Sequence, residues 1–274
     1  MGFELPEIIK LSKQMQDKLI GNKITDIILS ERSGSIIKQG MSNLDKRKVD
    51  ILNSPIINIT PKGKWIFLEF LNNNFLMLGE IIGKFSYIEK GYPLPDKYYF
   101  IFRFGDGSNM TFQSSLYAFL TVATRDEKRE HRYADNIGPS PNEIDFKLQY
   151  FNQILLQNEK KPIKAALNVQ DQISGLGNAY INDILFEAKI HPKRKVSDIS
   201  QIDRSNLFES IIKIITSAIQ LGGSVDEIDL YGKSGEYIRA MDKSIPLCRR
   251  CGTKIVKENI LGSSSYYCPK CQKI

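Results

Sequence analysis

All four cysteines of this 274-residue chain lie near its C-terminal end, where Cys248 pairs with Cys251 and Cys268 with Cys271 in Cys-x2-Cys spacing. Each pair can bind one edge of a metal ion, and the segment between them is typical of a β-hairpin that would bring the pairs together. The pattern predicts one tetrahedral zinc site. Two disulfides, a chance spacing or an iron–sulfur cluster are the alternatives, and the cluster is disfavoured because nothing else in the chain indicates redox chemistry. A four-cysteine site has no open coordination position, so the zinc is predicted to be structural.

A second group of residues that could bind a ligand is Gly175, Gly177 and Asn178, which precede a predicted helix. A tight turn with backbone N–H groups and an amide side chain at the positive end of a helix dipole can hold one phosphate. The alternative is an ordinary turn and helix cap, which is the commoner role of such a sequence on its own.

The charge of the chain favours an acidic partner. The formal net charge is +7, and eight Lys and Arg residues against two acidic residues lie between Arg239 and the last residue. Such a basic tail, which includes Lys254, suits a nucleic-acid backbone, although many basic proteins bind none. No stretch approaches the roughly 18 apolar residues of a membrane span, and no signal peptide is evident. All four cysteines lie in the last 27 residues, which is an unusual distribution for a disulfide-stabilised secreted fold. We therefore expect an intracellular, cytoplasmic protein with no membrane partner, and no feature indicates a protein partner.

The elements that must position these residues change along the chain. Helical spacing from Leu5 to about Leu19 predicts one opening helix, and short β-rich runs between 23 and 119 predict a sheet sandwich or barrel. Pro139 and Pro141 are typical of a linker, helical patterns follow, and short strands return from about Ile245. The sequence thus predicts an α+β protein with a helix and a β-sandwich in residues 1–136, a helical domain in 137–241 and a cysteine hairpin in 242–274.

Several motifs together resemble those of the formamidopyrimidine-DNA glycosylase / endonuclease VIII family, and the resemblance covers nearly the whole chain. The motifs that carry it are ELPE at 4–7, KGKWIFLEF at 62–70, IGPSP at 137–141, IKAALNVQDQ at 163–172, GLGNAY at 175–180, HP at 191–192, GG at 222–223, YGKSGEY at 231–237 and CPKCQ at 268–272. The resemblance implies an N-terminal helix and β-sandwich, a helix-two-turn-helix domain with a four-cysteine zinc-finger hairpin, and DNA held between them. It also implies removal of damaged bases, in which the nucleotide is flipped out of the stack and an N-terminal proline amine attacks C1′ of the sugar.

The family's catalytic residues map onto the start of the chain and onto one lysine. Glu4 matches the catalytic glutamate, and Lys64 matches the lysine that contacts DNA phosphate and assists the reaction. Without the motif match, their positions alone would favour a helix cap for Glu4 and a solvated strand residue for Lys64. Phe3 stands at the proline position, so the candidate nucleophile is the amine of Gly2, which methionine removal is expected to expose. That amine is displaced by one residue, or about 3.3–3.6 Å of extended chain.

Other positions depart from the family pattern. The segment MLGEIIG at 77–83 is one residue longer than its counterpart and lacks the family's His and Met. Ser115 replaces an inserting arginine, although Tyr117 keeps an aromatic ring that could wedge a base step. Ser263 replaces the hairpin arginine, and Asp183 replaces a glutamate. The residues that remain as predicted DNA contacts are Lys64 and Asn178 from the matched motifs, Tyr117, and Lys254 from the basic tail.

The sequence accordingly predicts a DNA-repair protein that binds damaged double-stranded DNA. A DNA N-glycosylase of base excision repair is the favoured interpretation, with AP-lyase activity dependent on the Gly2 amine. A non-catalytic binder of damaged or structured DNA is the alternative, and an enzyme acting on another nucleic-acid adduct is a third. The YGKSGEY loop at 231–237 could touch a flipped base or could be only a surface turn.

Overall fold

The protein is described from a computed structural model that covers residues 2–114, 118–131, 134 and 137–274. The chain divides into two compact units. The first, the β unit, comprises Met1–Asn136 with Val225–Gly235, and the second, the helical unit, comprises Ile137–Ser224 with Glu236–Ile274. The predicted mixed α+β class is confirmed, whereas the separation of a third domain at 242 stays a prediction.

The β unit consists of an opening helix and two antiparallel sheets. Its elements are α1 (Leu5–Leu19), β1 (Ile24–Leu29), α2 (Ser33–Lys38), α3 (Leu44–Arg47), a 3-10 turn (Lys48–Asp50), β2 (Ile56–Lys62), β3 (Trp65–Phe70), β4 (Asn74–Gly79), β5 (Gly83–Ile88), β6 (Phe100–Phe104), β7 (Asn109–Ser114), β8 (Phe119–Thr124) and α4 (Arg125–Glu130). The two sheets have the strand orders β1-β6-β7-β5 and β2-β3-β4-β8.

The main core of the β unit is formed by the sheets and by one face of α1. Ile8, Leu11, Met15 and Leu19 recur three or four residues apart in α1, and all are fully buried in this core. This spacing places them on one stripe of the helix, which explains why α1 forms where the sequence predicts it. The apolar face of α1 is therefore packed in the core, and this packing holds the N-cap residue Glu4 next to it.

Strands β3 and β4 are apolar on both faces. One face contributes to the main core, and the other face is buried in a second cluster. This cluster contains Trp65, Phe67, Phe75 and Met77. Trp65 pairs with Gly79 across the two strands, and a Cβ at Gly79 would lie only 2.1 Å from an atom of the Trp65 ring. Glycine is therefore required at the last residue of β4.

The segment Val225–Gly235 belongs to the β unit although it follows four helices of the other unit. Leu230 is buried in the main core, and its carbonyl accepts a hydrogen bond from the Tyr87 N–H at 2.9 Å. The side chain of Gln14 donates to Asp229 at 2.7 Å and accepts from the Leu230 N–H at 3.0 Å. These contacts fix the segment to α1 and β5, whereas the sequence pattern placed it with the neighbouring helices.

The helical unit packs α-helices against a two-stranded hairpin. Its longest helix begins at a Ser200 cap whose hydroxyl accepts from the Asp203 N–H at 3.1 Å. No helix in the described ranges is long and apolar enough to cross a membrane. The elements are α5 (Leu148–Gln157), α6 (Ile163–Leu167), α7 (Asn178–Glu187), a 3-10 turn (Val196–Asp198), α8 (Gln201–Gln220), and the antiparallel strands β9 (Val256–Ile260) and β10 (Ser263–Tyr267).

Candidate active site and nucleic-acid interface

The four cysteines form a site that fits one zinc ion. Their Sγ atoms all lie within 4.8 Å of one another. The Sγ–Sγ distance is 3.8 Å between Cys248 and Cys271 and 3.5 Å from Cys251 to both Cys268 and Cys271. Zn–S bonds of about 2.3 Å in a tetrahedron require S–S edges of about 3.8 Å. None of the four cysteines forms a disulfide, so the disulfide alternative is wrong, and the metal is a structural zinc.

The zinc site is joined to the end of α7. Gln272 donates to the Ile190 carbonyl at 3.0 Å and accepts from the Cys268 N–H at 2.9 Å. Arg250 stacks on the Phe186 ring, with its guanidinium carbon 4.2 Å from the ring centroid, and pairs with Glu187. The metal-binding loops are therefore packed on a helix rather than held by the zinc alone.

Asn178 is the first residue of α7, as predicted, and its side chain is bound to the hairpin. Its Nδ2 donates to the Ser264 carbonyl at 2.9 Å, and its Oδ1 accepts from the Ser263 hydroxyl at 3.0 Å. Gly175 has a φ of +88°, which lets the chain turn before the helix. The amide therefore connects the turn to β10, and its contact with DNA stays a prediction.

Lys164 also belongs to this region, although the sequence predicts no individual role for it. Its side chain is buried, with only 3% of the residue exposed. The ammonium donates to the Ser263 and Ser265 hydroxyls at 2.8 and 2.6 Å and to the Ile260 carbonyl at 3.1 Å. Burial lowers the pKa of Lys164 to about 8. The only signal in the sequence is a single lysine in the otherwise apolar stretch IKAAL.

Asp183, within α7, has a similar organising role. Its buried carboxylate accepts from the Tyr237 hydroxyl at 2.9 Å and from the backbone N–H groups of Ala240 and Met241 at 3.0 and 2.8 Å. Burial raises the pKa of Asp183 to about 6, against these hydrogen bonds, which favour the charged form. This aspartate thus fixes the backbone after residue 236.

Lys254 lies on the hairpin and is exposed. It forms an isolated bridge with Leu247 just before β9, close to the zinc ligands in sequence. An exposed ammonium at this position can reach a phosphate, and its DNA contact stays a prediction. Tyr117, the remaining predicted DNA contact in the β-rich half, and Ser115 lie outside the residues that the structure describes.

The N-terminal residues of the β unit are held against the loop between β4 and β5. The Phe3 N–H donates to the Ile81 carbonyl at 2.9 Å, and the Phe3 side chain is buried in the main core. Gly2 lies so near this loop that a Cβ on it would be 3.0 Å from Ile82 Cγ1. A glycine therefore suits the position predicted for the nucleophile.

Glu4 stands at the N-cap of α1 and is 6% exposed. It forms a capping box with Glu7, whose carboxylate accepts from the Glu4 N–H at 3.1 Å. The arrangement fixes the position of the Glu4 side chain at the positive end of the helix dipole. This capping role does not replace the predicted catalytic role, because a carboxylate in such a defined place is also suited to chemistry.

Lys64 lies in the turn between β2 and β3. Lys62 pairs with Trp65, so Gly63 and Lys64 form a two-residue turn, for which the Gly63 φ of +57° is suited. The Lys64 Nζ lies 3.8 Å from Glu80 Oε2, and the Glu80 N–H donates to the Lys64 carbonyl at 3.3 Å. Residues 80–82 therefore contact both Lys64 and the segment that carries Gly2, and the β unit brings these two predicted site residues to one loop.

Two family profiles match the C-terminal half of the chain. The "Formamidopyrimidine-DNA glycosylase H2TH domain" matches residues 137–229, and the "Zinc finger found in FPG and IleRS" matches residues 247–274. Curated relatives named formamidopyrimidine-DNA glycosylase extend the match to the whole chain. The protein of Streptococcus mutans is 26% identical over 98% of this chain and 99% of its own length, and that of Cytobacillus firmus is 29% identical with the same coverage.

Solved structures agree with these matches over the full length. The wild-type Lactococcus lactis Fpg (MutM) in complex with DNA that contains N7-benzyl-Fapy-dG is 26% identical, with a TM-score of 0.87 over 99% of this chain and 100% of that one. The Lactococcus lactis Fpg complex with DNA that contains an abasic site has the same TM-score, identity and coverage. With the matched profiles and relatives, these similarities show that the chain belongs to the formamidopyrimidine-DNA glycosylase family.

Proposed function

We propose that this protein is a DNA-repair glycosylase that binds damaged double-stranded DNA and hydrolyses N-glycosyl bonds. The observation that carries the proposal is the full-length structural similarity to a Fpg bound to lesion-containing DNA, at a TM-score of 0.87. The non-catalytic binder is not favoured, because the named relatives are glycosylases over their whole length. We further propose that the protein acts inside the cell, where its DNA substrate is found.

Two residues supply acid–base and electrostatic chemistry in this proposal. Glu4 protonates the departing sugar oxygen or activates a water molecule, from the fixed position at the N-cap of α1. The positive charge of the Lys64 ammonium stabilises a nearby phosphate, and the tight turn beside the β4–β5 loop positions this ammonium. Lys254, Asn178 and Tyr117 are proposed as further DNA contacts.

The nucleophile is proposed to be the amine of Gly2. The Phe3 nitrogen is an amide whose N–H is already bonded to the Ile81 carbonyl, so it cannot attack the sugar. Gly2 precedes it and lies against the same loop. A primary amine there, once methionine is removed, can form a Schiff base with C1′, and AP-lyase activity follows from that intermediate. Should Gly2 not reach C1′, activation of water by Glu4 still releases the base without a covalent adduct.

The test combines borohydride trapping with an assay of base release. The purified protein, with its N-terminal residue determined by mass spectrometry, is incubated with duplex DNA that carries an abasic site or an oxidised base. A trapped adduct that maps to Gly2 supports amine chemistry. Base release without trapping supports the water route, and the absence of both over a broad panel of lesions contradicts the glycosylase.

Substitution at Glu4 separates catalysis from helix capping. We expect Glu4→Gln to slow base release by roughly 100-fold or more, as loss of a general acid–base does. The matched control is Glu7→Gln, which removes the same charge from the same helix turn and the same capping box. Equal losses of activity in the two variants would identify Glu4 as a capping residue only.

A further inference from the structure

Glu80 has two contacts with Lys64 that together restrict the lysine. Its backbone N–H donates to the Lys64 carbonyl at 3.3 Å, and its carboxylate Oε2 lies 3.8 Å from the Lys64 Nζ. The side chains are 15% exposed for Lys64 and 26% exposed for Glu80. Partial burial shields such a pair from salt, so it is less screened than an ion pair on the open surface.

The backbone of Glu80 is in an unusual conformation for this residue type. Its φ is +45°, in the left-handed region that glycine and asparagine adopt at lower cost. Non-glycine residues held in this region often mark functional sites, where surrounding contacts keep them in place. In this conformation the Glu80 carboxylate lies 3.8 Å from the Lys64 ammonium, so the contact that glycine could not make at this position is the one with Lys64.

A phosphate that approaches Lys64 meets the carboxylate of Glu80 at the same ammonium. Both are oxygen anions that seek the same donors, and two anions at one ammonium repel each other. In the DNA-free protein the positive charge of Lys64 is therefore already partly balanced by this carboxylate. For Lys64 to bind a DNA phosphate, the Glu80 carboxylate must move away from the Lys64 ammonium or contact it together with the phosphate.

We propose that Glu80 is a positioning residue for Lys64, which holds the ammonium in the DNA-free protein and competes with DNA phosphate for it. This inference rests on the proposed function, because it takes Lys64 as a phosphate contact. Its consequence is that Glu80 weakens binding to duplex DNA at this site, so that Lys64 contributes fully only after the pair has opened.

The experiment measures the affinity of the full-length, zinc-loaded protein for an undamaged duplex as a function of salt concentration. Each phosphate contact contributes about −0.9 to the slope of log K against log salt concentration. We expect Glu80→Gln to steepen this slope by about 0.9 and to raise affinity by up to roughly eightfold at 0.1 M salt. In the double variant with Lys64→Gln the gain should disappear, because the carboxylate acts only through this lysine.

The matched control is Glu69→Gln. Glu69 is a similarly buried carboxylate of the same unit, with a side chain 19% exposed, and it pairs with Arg125 at 2.6 Å rather than with Lys64. Both substitutions raise the net charge by one, so a general effect of charge would appear in both variants. Glu80→Asn is a second charge-removing variant, and asparagine tolerates a positive φ. Circular dichroism establishes that all variants fold.

An unchanged salt slope in folded Glu80→Gln and Glu80→Asn overturns the proposal, as does a gain that survives in the double variant with Lys64→Gln. An equal gain in Glu69→Gln also overturns it. Base release from lesion-containing duplex is measured in parallel. DNA binding with the expected slopes but without base release would contradict the proposed glycosylase activity and still support the role of Glu80. No DNA binding by any variant would contradict both proposals.

Discussion

The hairpin region of the helical unit and the N-terminal site of the β unit achieve order in opposite ways. In the hairpin region, Lys164 and Asn178 bond to a run of serine hydroxyls and backbone carbonyls, and zinc binds the adjacent loops. In the N-terminal site, backbone hydrogen bonds of Phe3 and Lys64 with one loop place Gly2 and Lys64, and the Glu80 carboxylate pairs with the lysine. The first region is a densely satisfied polar network, and the second depends on close backbone approach. The first should therefore fail when a polar partner or metal is removed, and the second when space is filled.

The largest effect is expected from loss of the zinc. Chelation removes the metal, and Cys248→Ser removes one of its four ligands. Zinc binding contributes about 10–16 kcal/mol to the folding of isolated zinc fingers. We expect β9 and β10 to lose protection from hydrogen exchange and DNA binding to weaken, while exchange in the β unit is unchanged. Hydrogen-exchange mass spectrometry with a parallel zinc determination measures this. Protected hairpin amides in a sample shown to be free of metal would contradict the prediction.

Filling space at Gly79 should have the largest effect on the N-terminal site. A Cβ there would lie 2.1 Å from an atom of the Trp65 ring, so Gly79→Ala forces the ring or β4 to move. Overpacking of this kind costs about 1–3 kcal/mol and sometimes more, and we expect the upper end here. The unfolding temperature and the rate of base release should both fall, because Lys64 and Glu80 adjoin the displaced residues. Gly105→Ala is the control, since its nearest contact would be an ordinary 3.6 Å; equal destabilisation by the two variants would refute the steric cause.

The same contrast explains what the sequence could predict. The cysteine spacing specified the zinc site, and the periodicity of α1 and the glycine–asparagine turn specified their elements, because each is a local pattern with one physical meaning. Glu80 and the segment around Leu230 were not identified as positioning elements. Glu80 contacts Lys64 only because β4 ends beside the β2–β3 turn, and Leu230 enters the core only because the chain returns to the β unit. Such contacts between residues distant in sequence leave no local pattern. Lys164 was missed for a related reason, since a single lysine gives no sign of its burial.

Lys164 offers a test of the polar network through pH. Its pKa is about 8 in the folded protein, below the ordinary value of 10.5. Between these values the unfolded chain binds more protons, so the free energy of unfolding should rise as pH increases from 8 to 10.5, by up to roughly 3 kcal/mol. Urea unfolding at several pH values measures the rise. The contribution should be absent in Lys164→Met, and identical pH profiles for the variant and the parent would show that Lys164 carries no such penalty.

The smallest predicted effect tests whether Asn178 does more than connect the turn to the hairpin. Asn178→Ala removes the hydrogen bonds to the Ser264 carbonyl and from the Ser263 hydroxyl, and we expect a loss of about 1–2 kcal/mol of stability. Ser263→Ala, which also removes the Ser263 contact with Lys164, is the matched control within the same network. If Asn178 only supports the hairpin, DNA affinity measured in titrations should fall in proportion to stability in both variants. A loss of affinity confined to Asn178→Ala would instead mean that the amide or the turn it orders binds the DNA backbone directly, which would make this network part of the interface as well as its support.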